Sequence, residues 1–243
     1  MLNAMIFAAG LGSRLKPYTN NKPKALVALA GKTLLQRAIE KLKSLGVDRI
    51  VINVHHFADL IEDFLKENHN FGVDIRVSDE RGELLETGGG LKKARELFIP
   101  NAPVLIYNVD ILSSIDLNEL IQQHESSNAL VSMVMRNRES SRYLYFNQDK
   151  QLTGWKNCKT GETKVARPDM EKSEPLAFSG IHMVNPKLFD LIVEEGKFSI
   201  IDLYLRLAKT EKMIAFEDQS ELWFDLGKPA QLLKAEGIVK NLE

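Results

Sequence analysis

The chain has 243 residues, 44% of them hydrophobic and 27% charged, with 32 lysines and arginines against 33 aspartates and glutamates. That length suits one large domain or two small ones, and a net charge near zero argues against bulk nucleic-acid binding, which needs a basic excess. Cys158 is the only cysteine, so no intrachain disulfide can form, and no apolar run approaches the ~20 residues that cross a bilayer. The expectation is a cytoplasmic chain with neither a nucleic-acid nor a membrane partner, and homo-oligomerisation left open.

In chain order, AMIFAA (4–9) is an apolar run that stops at glycine and predicts a buried strand. No basic stretch precedes it, so it does not read as a signal peptide. A polar loop rich in Gly, Pro, Asn and Lys follows from Gly10 to Lys32; loops of such length in a compact domain are functional or disordered. Leu34, Leu35, Ala38, Ile39, Leu42 and Leu45 share one face of a predicted helix, and Gly46 stands where a glycine ends one.

The alternation repeats. A strand over 49–54, a helix over 57–68 and a strand over 73–78 lead to ETGGG (86–90), which reads as a turn before the helix LKKARELF. PVLIYNV (103–109) is a strand ending at Asp110, followed by a helix over 115–126 and a strand over 129–135. Strand–helix alternation with near-continuous apolar strands predicts an α/β fold, a parallel sheet covered on both faces. The second half reads differently. It has short strands between 142 and 165, a strand over 175–184 with Gly180 inside it, and helices over 187–195 and 199–208. Strands at KMIAFE and ELWFDLG and a closing helix over 229–242, with Pro229 in its first turn, complete the chain. The expectation is a single domain over 1–243 with a soft boundary near residue 136.

Ligands of open parallel sheets bind beyond the carboxyl ends of the strands. The Gly10–Lys24 loop, ETGGG and Asp110 all fall there. A dinucleotide fingerprint is excluded, because its third glycine is Leu15 and no carboxylate closes the second strand near Asn53. A P-loop is excluded too: Gly31-Lys32-Thr33 imitates its end, but Leu26 stands at its leading glycine. What remains is GLGSRLKP followed by KPKAL. Arg14 and Lys24 converge on one polyanion if the loop folds over it, and a glycine-rich turn adds backbone donors.

This pattern resembles the GxGxR-x-x-P…PK signature of the sugar-1-phosphate nucleotidyltransferases, with Gly10, Gly12, Arg14, Pro17, Thr19, Pro23 and Lys24 in register. ETGGG, NVD (108–110) and WFDLGKP (223–229) resemble further motifs of that family over nearly the whole chain, which is similar in particular to the compact N-acetylmuramate alpha-1-phosphate uridylyltransferases and related sugar-1-phosphate nucleotidyltransferases. The resemblance implies a three-layer α/β/α Rossmann-like fold with a mixed, mainly parallel central sheet. Residues 1–136 would be the nucleotide-binding half and 137–243 the sugar-phosphate-binding half. It implies a nucleoside triphosphate and a sugar 1-phosphate as substrates and Mg²⁺ as cofactor, held by Asp110 and Asp225. Arg14, Lys24 and Asp110 would be catalytic. Ala8, Ala9, Gly10, Gly12, Ser13, Arg14 and Lys24 would bind the nucleotide, with Arg14 and Lys24 on its phosphates, and Glu86, Thr87 and Gly88 would read its base and ribose. Gly180 would lie against the sugar. Many members carry an EKP motif for the sugar phosphate; here Glu171-Lys172 is followed by Ser173, so Lys172 and Lys156 are both candidates.

Plainer readings compete. Asp110 could cap a helix, though Asp116 is better placed for that. Asp225, between Phe224 and Leu226, is costly to bury unless paired or metal-bound. Trp155 and Trp223 read as core, and His55, His56 and Cys158 receive no chemical role. Two other functions stay open: cytidylyl transfer to choline phosphate or a similar small phosphate, which would call for an aromatic cage, and a non-catalytic nucleotide sensor, which would have no need of the four charged residues retained here.

Overall fold

The computed structural model describes residues 1–240. β1 (Asn3–Phe7) runs into a loop with short 3₁₀ turns at Ser13–Leu15 and Lys24–Leu26, then a small hairpin of β2 (Ala28–Leu29) and β3 (Lys32–Thr33). After it come α1 (Leu34–Ser44), β4 (Arg49–Val54), α2 (Ala58–Glu67), β5 (Asp74–Asp79), α3 (Glu86–Lys93), β6 (Val104–Asn108), β7 (Ile111–Ser113), α4 (Leu117–Ser127) and β8 (Val131–Arg136). The second half adds β9 (Arg142–Phe146), β10 (Leu152–Asn157), β11 (Thr163–Val165), β12 (Glu174–Val184), α5 (Ile200–Leu207), β13 (Met213–Glu217), β14 (Trp223–Asp225) and α6 (Pro229–Val239).

Ten strands form one sheet, in the order β11-β10-β9-β12-β6-β1-β4-β5, with β8 joining β12 to β13. β6, β1, β4 and β5 are mutually parallel. β12 pairs antiparallel with β6, β8 and β9, and β13 pairs parallel with β8. The sheet takes strands from both sides of residue 136. It is the mixed central sheet of an α/β, Rossmann-like fold.

The layers follow from the strand period of two. Ala4 and Ile6 of β1 enter one core cluster with Ile50 and Ile52, while Met5 enters the other with Val51. α1, α2, α4 and α6 cover the first face; α3 and α5 cover the second. α1 shows why such a helix forms. Thr33 caps it by accepting from the Gln36 amide at 3.0 Å, and Leu34, Leu35, Ala38, Ile39 and Leu42 are buried along one side. Gly46, at φ 78°, lets the chain leave it. Each fully buried leucine, such as Leu35, contributes about 1.5–3 kcal/mol.

Two expectations are corrected. ETGGG is not a turn before a helix: α3 starts at Glu86 and carries Gly88, Gly89 and Gly90 in its own turns. These glycines are packing positions. A Cβ on Gly88 would lie 2.3 Å from the Phe198 ring, and one on Gly89 2.3 Å from the Gly196 carbonyl oxygen. The helix expected over 187–195 is a 3₁₀ turn, Pro186–Leu191, capped by the Asn185 side chain. The chain after it crosses to α3, where the Gly88 amide donates to the Phe198 carbonyl at 2.9 Å and the Phe198 amide to that of Leu85 at 3.2 Å. The closing helix is present as α6; Asn241 and Leu242, within the expected 229–242, lie outside the described residues. Among the described residues no helix is long and apolar enough to cross a membrane.

Candidate active site

The site opens beyond the carboxyl ends of β1 and β6. β1 has its parallel neighbours β4 and β6 on either side, so the strand order reverses there and leaves a crevice. Asn53, buried at the end of β4, accepts from the Ala8 amide at 2.8 Å and the Ala9 amide at 3.3 Å. Its amide donates to Glu80 Oε1 at 2.8 Å, and Glu80 Oε2 accepts from the Leu85 amide at 3.3 Å. Glu80 is wholly buried, and burial holds its carboxyl above the usual range against the pull of these hydrogen bonds. The clamp ties the end of β1 to the start of α3. Gly90 is glycine because a Cβ there would lie 2.7 Å from Glu80 Oε1.

The loop after β1 closes on itself. Gly12 adopts φ 64°, and its carbonyl accepts from the Thr19 hydroxyl at 2.9 Å. A Cβ on Gly12 would lie 3.0 Å from Thr19 Cγ2 and 3.1 Å from Lys24 Cβ, so the bare glycine lets both ends of the loop meet. Leu15 is fully buried and anchors it. Arg14 is left exposed, with no hydrogen-bond or ion-pair partner among the described residues. Lys24, mostly buried, forms an ion pair with Asp110 at 2.7 Å.

A second seam meets the loop. β14 pairs antiparallel with β7, setting Asp225 opposite Ile111, and the Leu226 amide donates to the Asp110 carbonyl at 2.8 Å. Gly227 then sits among the charges. A Cβ on it would lie 2.8 Å from Asp225 Oδ1, 3.0 Å from Arg14 Nη2 and 3.3 Å from Asp110 Oδ2. One point thus gathers both carboxylates and the arginine.

On the far side, Gly180 breaks β12 with φ 79° and shifts its register between Phe178 and His182. A Cβ there would lie 2.8 Å from Asn108 Nδ2. Trp223 donates its indole N–H to the Ser179 carbonyl at 3.2 Å, and the Arg138 guanidinium lies 4.2 Å from the centre of its ring.

These groups enclose a cavity of about 470 Å³ bearing Arg14, Lys24 and Arg138 beside Asp110, Asp225 and Glu86. A branch of about 310 Å³ continues along Gly10, Gly12, Ser13 and Gly227. Among the described residues no three His, Cys, Asp or Glu side chains gather to form a metal centre, so the carboxylate pair stands without a third ligand of those types. The arrangement suits polyanions: cations on two walls, carboxylates between them, backbone amides at a glycine turn.

The nucleotidyl transferase family model matches residues 3–241. The chain belongs to that family and is a nucleotidyltransferase. It is 32% identical to the N-acetylmuramate alpha-1-phosphate uridylyltransferase of Caulobacter vibrioides, over 96% of this chain and 95% of that protein. It is 31% identical to the protein of the same name from Neisseria meningitidis, over 98% of each. The mannose-1-phosphate guanylyltransferase catalytic subunit beta of Xenopus tropicalis is 27% identical, over 96% of this chain and 63% of that longer one. Among solved structures, HddC from Yersinia pseudotuberculosis superposes with a TM-score of 0.79 at 24% identity, over 98% of this chain and all of that one. A UDP-glucose pyrophosphorylase complexed with UDP-glucose superposes with a TM-score of 0.78 at 18% identity, over the whole of both chains. These two show the shared fold.

In this nucleotidyltransferase the cavity brings together Ala9, Gly10, Arg14, Lys24, Glu86, Thr87, Asp110, Gly180 and Asp225, with Gly12 and Ser13 in its branch. Four residues named from the sequence lie elsewhere. Ala8 is buried behind the cavity with its amide on Asn53. Gly88 is packed on Phe198. Lys156 sits on β10 between Tyr143 and Thr163, and Lys172 on the exposed turn Pro168–Lys172; neither lines the cavity. Asn53 and Arg138 line it and were not singled out, and Asn108, named only within the NVD motif, lines it too. Trp223, read as core, is in its wall, whereas Trp155 packs on the core under Lys164. Nothing in the RNRESSR stretch (136–142) distinguishes Arg138 from its two neighbouring arginines.

Proposed function

We propose that this nucleotidyltransferase transfers the uridylyl group of UTP to a sugar 1-phosphate, giving a nucleotide sugar and pyrophosphate, with Mg²⁺ as cofactor. The observation that carries the reading is the single point beside Gly227 where Arg14, Asp110 and Asp225 converge, with Lys24 paired to Asp110. UTP and an N-acetylated acidic amino sugar are favoured by the names of the two relatives matched over almost their full length.

The acceptor is already an anionic phosphate, so the reaction needs no general base. One acceptor oxygen bonds to the α-phosphorus, and the bond from that phosphorus to the β-phosphate's bridging oxygen breaks, its electrons leaving with pyrophosphate. The protein's task is to bring two polyanions into line and neutralise the charge that builds between them. Arg14 and the amides of the glycine turn hold the β- and γ-phosphates. Lys24 holds the α-phosphate. Glu86 and Thr87, where α3 begins, face the base and ribose.

The residues fit Mg²⁺. It takes oxygen ligands, one or two carboxylates plus phosphates and water, and the two aspartates offer that set. Among the described residues Asp110 Oδ1 and Asp225 Oδ2 accept no hydrogen bond, while Asp225 Oδ1 accepts one from the Gly227 amide at 2.9 Å. When bound, the ion supplies further neutralisation of phosphate charge.

A quaternary-ammonium acceptor fits poorly. An aromatic cage needs free ring faces, and the Trp223 ring is already covered by the Arg138 guanidinium at 4.2 Å. The test is a matrix of pyrophosphate release: UTP, dTTP, GTP and CTP against sugar 1-phosphates, N-acetylmuramate 1-phosphate included, and choline phosphate. Turnover should centre on UTP with a sugar 1-phosphate. Turnover with CTP and choline phosphate alone, or with no pair, would overturn the reading.

A further inference from the structure

Three cations line the cavity, and the proposed reaction joins two polyanions. Arg14 and Lys24 both belong to the loop after β1. Arg138 comes from the segment between β8 and β9, on the opposite wall.

Arg138 is short of partners for a half-buried cation. Its Nη2 donates to the Phe178 carbonyl at 2.9 Å and its Nη1 to the Glu139 carbonyl at 3.2 Å. Its Nε is shut away from solvent without a hydrogen-bond partner. A guanidinium carries five N–H groups, so more than half are unused. Among the described residues Arg138 forms no salt bridge. Arg136, two positions earlier, is the contrast: it pairs with Asp218 at 2.6 Å and reaches the hydroxyl of Ser220 at 3.1 Å and its carbonyl at 2.8 Å. Arg136 is a structural arginine with its needs met. Nη1 and Nη2 each keep one N–H, and Arg138 lines the cavity; a partly desolvated charge with such unused donors is costly unless a ligand completes it.

Its position says which ligand. Trp223 and Asp225 are two apart on β14, so they share a face about 7 Å apart along the strand. The guanidinium over Trp223 is therefore one step from the carboxylate seam, in the same cavity as Arg14 and Lys24 but carried by a different segment. Its plane is fixed by the indole and by the Phe178 carbonyl, which is presented where Gly180 bulges β12. A planar fork held in this way suits bidentate binding of phosphate.

We infer that Arg138 receives the phosphate of the acceptor, the role for which Lys156 and Lys172 were the candidates by sequence. The identity of that acceptor as a sugar 1-phosphate rests on the function proposed above; the anion-binding role does not.

Two measurements test it. In steady-state kinetics, Arg138→Gln should raise the KM for the sugar 1-phosphate about ten- to a hundredfold, as expected for a hydrogen bond to a charged group. The KM for UTP should stay the same. Arg138→Lys should recover part of the loss, since it keeps the charge but not the fork. A variant that raises both KM values equally and melts earlier would make Arg138 a prop for Trp223 and overturn the inference, as would an unchanged acceptor KM. The second measurement needs no turnover. The protein has two tryptophans, so Trp155→Phe leaves Trp223 as the sole indole, directly under the guanidinium. With a non-hydrolysable UTP analogue present, inorganic phosphate and glucose 1-phosphate should change its fluorescence and glucose should not. Adding Arg138→Gln should abolish the response. If the enzyme transfers to no sugar 1-phosphate yet this response appears and depends on Arg138, the sugar reading fails and the inference stands. If sugar 1-phosphates turn over but the indole is silent to phosphate, the inference fails and the function stands.

Discussion

The two walls of the cavity are built by opposite means. The wall proposed for the nucleotide is a contiguous loop: Gly12, Arg14, Leu15, Thr19 and Lys24 lie within thirteen positions and close on one another through a glycine turn and a buried leucine. The wall proposed for the acceptor has no such run. Asn108, Arg138, Gly180 and Trp223 come from four distant segments, gathered by the bulge in β12 and by the pairing of β14 with β7. The wall proposed to grip phosphates is written locally and the wall proposed to meet the acceptor is assembled by tertiary structure, so on this reading acceptor choice can change without disturbing the phosphate grip.

Several substitutions would break or sharpen this contrast. The largest effect should come from Arg14→Ala. Loss of one cation aimed at charge built in the transition state lowers turnover by about 10²–10³-fold. Because Arg14 is exposed and unpartnered, the melting temperature should not move. An unchanged rate would remove the loop from the mechanism. Gly227→Ala strikes the seam between the walls. Its methyl would enter the space shared by Asp225, Arg14 and Asp110, so kcat should fall in pyrophosphate-release assays while the fold persists. Gly88→Ala tests the corrected reading of ETGGG. Overpacking against Phe198 should cost about 1–3 kcal/mol in urea unfolding; a change confined to the KM for UTP would instead return Gly88 to the base site.

A pH test separates core from site. Burial pulls His124 down to about 4 and His182 to about 3. Both stay neutral in the native state at pH values where the unfolded chain takes up protons. Their contribution to stability is complete above about pH 6.5 and falls as pH drops toward those lower values, by about 1.4 kcal/mol per pH unit for each histidine. Urea midpoints measured from pH 7 down to pH 5 should follow that slope, and His182→Leu should roughly halve it. The smallest effect is expected of Lys156→Ala and Lys172→Ala, which should leave the acceptor KM unchanged; a rise in either would move the acceptor phosphate away from Arg138.

The same contrast explains what was readable from sequence. Apolar periodicity marked the strands and helices of the parallel half, and capping chemistry told Asp116 apart from Asp110. Asp116 does cap α4, accepting from the Asn118 amide at 2.8 Å, which leaves Asp110 free for the seam. The glycines of α3 misled because glycine usually breaks helices; here Gly88 and Gly89 are required by the close approach of Phe198 and Gly196, more than a hundred residues away, and Gly90 by Glu80. The helix expected over 187–195 failed for a related reason. The chain beyond Leu191 is drawn to α3 by backbone hydrogen bonds from Phe198 that no local pattern announces. No carboxylate closes β4 itself; the buried Glu80 that receives the Asn53 amide comes from just beyond the neighbouring strand β5, which nothing in the sequence around Asn53 announces. Arg138 was hidden for the same reason: its meaning depends on Trp223, eighty-five positions on.

The most direct test follows the label. UTP labelled in its α-phosphate is incubated with Mg²⁺ and N-acetylmuramate 1-phosphate, and the products are separated. The label should appear in a nucleotide sugar, matched mole for mole by unlabelled pyrophosphate. Label recovered as UMP, with the sugar phosphate unconsumed, would contradict the transfer on which the whole account rests.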